Sequence, residues 1–358
     1  MSAIRPLHLA AEIGGPPRYD AGSHVALARL AEEGTLDFVT LSDSFARPGP
    51  DALAVMARAA PATARIGLVP TVTTTHTEPF HVSSAVATLD WVSKGRAGWH
   101  VDVSATEAEA RLFGRRPAAP AAALWQEAGE AADAGARLWD SWEDDAEIRD
   151  VATGRFIDRD KLHYVDFKGS TFSVRGPAIV PRPPQGRPVT VIDGTTGPAR
   201  EAAAQHADVV HIRATTPEQA ASLRDELLRS AAAHGRDPAG LRVLVALTVD
   251  LGDAEAAPEP GLRSGPQLAG RGTYFRGGPV DLAELITRWH GGGAADGFHL
   301  TPIAPRRDLE RIVNGTVALL QHRSLFRTFY PGGTLREHLG LARPAGRYTR
   351  VSSSEGTS

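Results

Sequence analysis

The chain has no cysteine among its 358 residues. That excludes disulfides, thiolate-bound zinc and a cysteine nucleophile. No apolar run approaches the roughly 20 residues that a membrane-spanning helix needs, and no signal-peptide-like apolar region opens the chain. Charge of one sign is missing as well. The formal net charge is −3, which implies no attraction to nucleic acid or to a membrane surface. His8, His76, His81, His100 and His299 are scattered, with no HExxH or similar spacing, so no metal site is expected. These absences predict a soluble cytoplasmic protein.

What is present is alternation. Hydrophobic residues make up 42% of the chain, enough for a sizeable core, and 36 Gly with 26 Pro suit many tight turns. Short apolar runs read as strands at residues 7–11, 37–43, 66–73, 96–104, 188–194, 208–213, 241–249 and 297–301. Helical patterns follow them at 21–33, 51–60, 78–90, 120–138, 198–206, 217–234, 280–290 and 307–329. Such alternation argues for a parallel sheet. About eight units in one chain argue for an α/β fold closed as a (β/α)8 TIM barrel with insertion segments. An open doubly wound sheet would carry a Gly-rich phosphate turn after its first strand. Gly14-Gly15-Pro16-Pro17 does not fit that role, because proline has no N–H to offer a phosphate.

The barrel is expected over residues 1–340. A long polar excursion, about 140–187, reads as a partly structured insertion with a short hairpin near Val165 to Val174. Residues 253–278 read as a mobile loop and 341–358 as a disordered tail. Trp139 and Trp142 suit packing under the insertion.

In a parallel barrel the chemistry sits at the carboxyl ends of the strands. Asp43 ends the second strand and suits either a ligand contact or a turn. Thr71, Thr73, Thr74, Thr75 and His76 crowd the end of the third, although threonine is also a good strand residue. His100, Asp102 and Ser104 share one face of the fourth by period-two spacing. That polar face should look into the barrel mouth, either as a ligand contact or as a buried network. Asp193-Gly194-Thr195-Thr196-Gly197-Pro198 joins the fifth strand to a helix N-terminus. It suits an anion site or a plain N-cap.

Several stretches together carry a resemblance. They are Ser42-Asp43-Ser44, Thr73 through His81, Ala87-Thr88-Leu89-Asp90 through Trp99, Leu138-Trp139-Asp140-Ser141-Trp142-Glu143-Asp144-Asp145, Phe172 through Pro177, Pro181 through Gly186, Ala295 through Phe298 and Thr334 through Gly340. In this order and over almost the whole chain, the sequence resembles the bacterial-luciferase-like flavin monooxygenases. The branch that it is most similar to is that of the nitrilotriacetate, dibenzothiophene-sulfone and long-chain-alkane monooxygenases. The resemblance implies a (β/α)8 barrel that uses reduced, diffusible FMN from a separate flavin reductase, with O2 as co-substrate. It implies oxygenation of a small organic substrate and a homodimer.

By matching position, Asp43 and Thr73 would lie beside the flavin ring. His100 falls where the family usually has Asn and is the expected catalytic contact, orienting the flavin. Ser104 shares its face. Thr196 falls where the family has a phosphate-binding Ser, with Gly194 and Thr195 bringing backbone near that phosphate. Two positions depart from the family. Ala121 and Trp125 stand where it often has His and Tyr. Trp125 can stack and donate one N–H but has no phenolic hydroxyl, so one phosphate hydrogen bond and one ring contact are lost. The segment 253–278 also looks shorter than the family's usual insertion. Two other readings stay open: an F420-dependent oxidoreductase of the same fold, and a flavin-poor accessory or ligand-binding barrel.

Overall fold

A computed structural model describes residues 5–15, 19–263 and 273–348. Eight parallel strands form the barrel: β1 (His8–Glu12), β2 (Phe38–Leu41), β3 (Gly67–Thr73), β4 (Gly98–Asp102), β5 (Val189–Asp193), β6 (Val209–Ile212), β7 (Arg242–Asp250) and β8 (Gly297–Pro302). Their order around the barrel is β6-β5-β4-β3-β2-β1-β8-β7, and β7 pairs with β6 to close it. The helices are α1 (Ala21–Glu33), α2 (Ala52–Ala59), α3 (Pro79–Val92), α4 (Glu107–Phe113), α5 (Ala121–Asp140), α6 (Gly197–His206), α7 (Pro217–Ala233), α8 (Pro279–Gly291), α9 (Pro305–Arg311), α10 (Ala318–His322) and α11 (Leu335–His338). The fold is the TIM barrel that the alternation predicts.

Strand parity divides the apolar residues into two sets. Ala10, Phe38, Val69, Val191, Val209 and Leu244 meet inside the barrel, and Leu335 and Leu339 of α11 join them. Leu9, Val39, Leu68, Val101, Val210, Val245 and Phe298 join the helices outside it. Leu335 comes so close to β3 that a Cβ on Gly67 would stand 2.6 Å from its Cδ1. The amino end is therefore plugged by side chains, and the carboxyl end is left for polar groups.

Residues 141–187 form a lobe with a small core of their own. Trp142, Val165, Phe167, Val174 and Ala178 pack with Ala134 and Leu138 of α5. Residues 167–168 and 173–174 pair as a hairpin. The indole of Trp139 donates to the Ser83 carbonyl at 2.9 Å and that of Trp142 to the Ala178 carbonyl at 2.7 Å.

Three expectations need correction. The helix expected at 307–329 is broken into α9, a widened turn over Ile312–Val317 and α10. Gly315 lies against α8, where a Cβ would stand 2.5 Å from Pro279 Cβ. The tail expected to be disordered from 341 is packed through 348: Leu341 is buried, and Arg343 pairs with Asp144 at 2.6 Å. Residues 349–358 lie outside the described residues. In the segment expected as a loop, Gly261–Arg263 pairs antiparallel with Thr273–Arg276, which runs parallel to the end of β7. Residues 264–272 of that segment lie outside the described residues. Helix α4 was not anticipated. Its capping box, Thr106 with Glu109, is nevertheless written in the sequence.

Candidate functional site

The carboxyl ends of β2, β3, β4 and β5 are neighbours, so the residues singled out there share one rim. Register places Thr71 opposite His100 and Thr73 opposite Asp102. The Thr71 hydroxyl lies 3.2 Å from His100 Nδ1, which fixes the half-buried imidazole on one side. Thr73 is 5% exposed and Ser104 is 1% exposed, and both hydroxyls are buried with no hydrogen-bond partner. An unsatisfied buried hydroxyl costs roughly 1–3 kcal/mol. Two of them on adjacent strand ends point to a ligand that completes them.

Burial raises the pKa of Asp102. Nearby His100 opposes this, while Asp193 and Glu109 add to it. Parallel pairing of β4 with β5 sets their ends side by side. At β5 the Asp193 carboxylate accepts from the Thr195 N–H at 2.9 Å and from the Thr195 hydroxyl. Thr195 is thus engaged by its own turn. Thr196 is different. It sits at the N-cap of α6 in extended conformation, exposed, with no capping bond from its side chain. A Cβ on Gly197 would meet nothing within 4 Å, so the helix start is open. Arg200 donates to the carbonyls of Gly194 and Thr195 at 3.2 and 3.3 Å, holding the loop from behind. Gly194 has a packing reason of its own, because a Cβ there would lie 2.7 Å from Val210 Cγ1.

Two expected site residues also make contacts within the scaffold. Asp43 Oδ2 accepts from the Ala52 N–H at 3.0 Å, bracing the start of α2. Trp125 is 8% exposed and packs within the apolar layer between strands and helices.

Beneath the rim lies a polar layer that sequence reasoning missed. His211 and His299 are stacked at 4.3 Å between ring centroids, and His100 meets His211 edge-on at 5.5 Å. Glu12 accepts from the Thr40 hydroxyl at 2.7 Å, the Ser42 hydroxyl at 3.1 Å, and the N–H groups of Ser42 and Gly14 at 2.9 and 3.1 Å. Thr40 gives its single proton to Glu12, so its oxygen accepts from His299 Nε2 at 2.7 Å. Burial lowers the pKa of His299 to about 3, and the neighbouring His100 adds to this; burial likewise lowers that of His211 well below the ordinary value. Both imidazoles are neutral. His211 Nε2 is buried and has no partner.

A closed barrel with unsatisfied polar groups at its carboxyl rim, above a floor of neutral imidazoles, has the form of a ligand-binding barrel enzyme. Comparison with known proteins gives the class. Residues 5–269 match the model of the luciferase-like monooxygenases. The chain is 32% identical to N-acetyl-S-(2-succino)cysteine monooxygenase of Bacillus subtilis (strain 168), over 90% of each chain. It is also 32% identical to nitrilotriacetate monooxygenase component A of Aminobacter aminovorans, over 93% of this chain and 92% of that one. The solved structure of the EDTA monooxygenase from Chelativorans sp. BNC1 shares the fold, with a TM-score of 0.84 at 22% identity over 95% of this chain and 99% of that one. The chain belongs to the luciferase-like monooxygenase family. It is an oxidoreductase. Among the described residues, no helix is long and apolar enough to cross a membrane.

Proposed function

We propose that this protein is the oxygenating component of a two-component flavin system. It takes reduced FMN from a separate, transiently bound flavin reductase, uses O2 and oxygenates a small organic substrate. The observation that carries the reading is the pair of buried, unpartnered hydroxyls of Thr73 and Ser104 at one rim. The residues present fit the cofactor. Thr73, His100 and Ser104 would hold the ring end. Thr196, with the open start of α6, would hold the phosphate, where the helix dipole favours an anion; the Gly194 and Thr195 N–H groups shape the turn instead, donating to the His211 carbonyl at 2.8 Å and to the Asp193 carboxylate at 2.9 Å. Bound, reduced FMN would supply the electrons that reduce O2, one oxygen atom going to substrate and the other to water. The protein's own part is to position and to shield. Thr71 fixes the His100 ring so that Nε2 remains for the ligand. The neutral floor of His211 and His299 adds no net charge below. We further propose that the protein is a homodimer and acts in the cytoplasm.

The test is anaerobic titration with reduced FMN, followed by fluorescence. Binding at about tens of micromolar or tighter is expected. Tighter binding of reduced F420 would move the protein to hydride transfer. A folded protein that binds neither, and consumes no O2 with a reductase, would be an accessory barrel.

A paired substitution sharpens the test. Thr73→Val with Ser104→Ala removes two buried groups that have no protein partner. Flavin-free stability, read by urea unfolding, should hold or rise. Affinity for reduced FMN should fall about tenfold, the loss of one to two neutral hydrogen bonds. A merely structural role for the hydroxyls would give the reverse: lower stability and unchanged affinity.

A further inference from the structure

Beside the rim is a cavity of about 190 Å³, lined by Thr75, His76, Arg115, Arg116, Glu127 and Phe172 among others. The cavity has room for a short-chain organic molecule. Its wall is shared with the rim, because Thr75 Oγ1 accepts from the Ser104 N–H at 2.9 Å.

The lining carries both signs of charge, Arg115 and Arg116 with Glu78 and Glu127. Arg116 forks onto Glu127, Nη1 to Oε2 at 2.8 Å and Nη2 to Oε1 at 2.5 Å, and also donates to the Thr75 carbonyl. Glu127 is buried, so its charge is answered within the wall. Arg115 is not answered in this way. Among the described residues its one ionic contact is with Glu78 at 3.7 Å, beyond hydrogen-bond distance, and the two side chains are 63% and 73% exposed. Five guanidinium donors are left for a ligand. The fourteen-residue helix α3 starts here, at Pro79, and its N-cap Glu78 makes no capping bond. Its first-turn N–H groups add positive potential. His76 lines the same cavity. It is 7% exposed and stacked on Phe113 at 4.5 Å, and its Nε2 is buried with no partner. Burial and the nearby Arg116 keep the ring neutral, so it can donate one N–H. Phe172, from the insertion, supplies an apolar wall.

We propose that this cavity binds the carboxylate of a small organic acid, through Arg115, His76 and the start of α3, with the carbon chain against Phe172. Under the flavin reading above, on which this assignment to the substrate rests, the site holds the substrate's anionic end and directs the remainder toward the rim. Its occupation by a carboxylate can be measured without any flavin.

The experiment is isothermal titration of the flavin-free protein with succinate, and with succinamide as its uncharged counterpart. Succinate is expected to bind at about millimolar Kd or tighter, and succinamide at least about tenfold more weakly. Arg115→Gln, a change at an exposed side chain with no hydrogen-bonded partner, should weaken succinate about tenfold. His76→Leu should weaken it as well. Affinity for reduced FMN should stay within about twofold in Arg115→Gln. No succinate binding up to about 50 mM, or equal binding by wild type and Arg115→Gln, overturns the proposal. Succinate binding that depends on Arg115 in a protein that fails to bind FMN leaves the anion site standing and removes the flavin reading.

Discussion

Replacing Asp140 with Ala is expected to lower folding stability by about 3–5 kcal/mol, the range for breaking a buried ion pair from one side. The Asp140 side chain is fully buried. One oxygen accepts from Arg182 Nε and Nη2 at 3.4 and 3.3 Å, and the other from Arg187 Nε at 2.9 Å and from its Nη2. Arg182 is itself 2% exposed and reaches Asp144 and the Pro344 carbonyl, both at 2.7 Å. The carboxylate thus joins the end of α5 to both ends of the proline-rich return segment of the insertion and, through Arg182, to the packed chain after residue 341. Without it, Arg182 keeps a single carboxylate, on the half-exposed Asp144. Arg187 keeps none among the described residues. Urea unfolding measures the loss, with an unchanged m-value if only stability has moved. Asp140→Asn should fall between wild type and Ala, since an amide oxygen can still accept. A loss below about 1 kcal/mol for Asp140→Ala would mean that the two cations find water or other partners at once.

This network shows which features a linear sequence reveals. Trp139-Asp140-Ser141-Trp142 is conspicuous as text, and packing of both indoles under the insertion is a natural reading. The partners of Asp140 are not, because 42 and 47 residues separate it from Arg182 and Arg187. The barrel itself was legible for a local reason. In β4 the alternation of Trp99 outside and His100 inside follows from the pleat, and one residue's slip would reverse every side chain. The same parity placed Ser104 with His100. It would also have placed Glu12 with His8 and Ala10, had the first strand been carried one residue further. The imidazole floor was hidden more deeply. β6 and β8 are separated by β7, so His211 and His299 stack only because the barrel closes, and no spacing in the chain records that. The only local mark was a histidine inside each of two otherwise apolar strands. The scaffold contacts of Asp43 and Trp125 were hidden for the opposite reason. Position relative to a family pattern says where a residue falls in the chain; whether its side chain turns to the rim or to a neighbouring helix is decided by packing. Arg115 and Arg116 drew no attention, since charged residues in a loop ordinarily belong to solvent, and the buried Glu127 that holds Arg116 is eleven residues away.

Acid should destabilise the protein at a pH where ordinary carboxylates are still ionised. His299 has a folded-state pKa of about 3, and His211 is lowered in the same direction, in both cases chiefly by burial. In the unfolded chain each returns to about 6.5. Because the unfolded state then binds protons that the folded state does not, stability is whole above about pH 6.5 and falls as pH drops below it. Between pH 7 and pH 5, His299 alone should remove about 2 kcal/mol, and His211 acts in the same sense while it stays neutral. Asp90 opposes them. Burial raises its folded pKa to about 6 against hydrogen bonds from Gln185, so protonation in the folded state returns about 1 kcal/mol over the same interval. His299 and Asp90 together leave a loss of about 1 kcal/mol from pH 7 to pH 5, which His211 deepens. Urea unfolding at the two pH values, with the cofactor absent, checks it. His211→Phe with His299→Asn should flatten the slope. The first removes a titrating ring from an aromatic stack, and the second keeps a donor for Thr40. An unchanged slope in that variant would assign the acid sensitivity to other groups and leave the neutral floor without support.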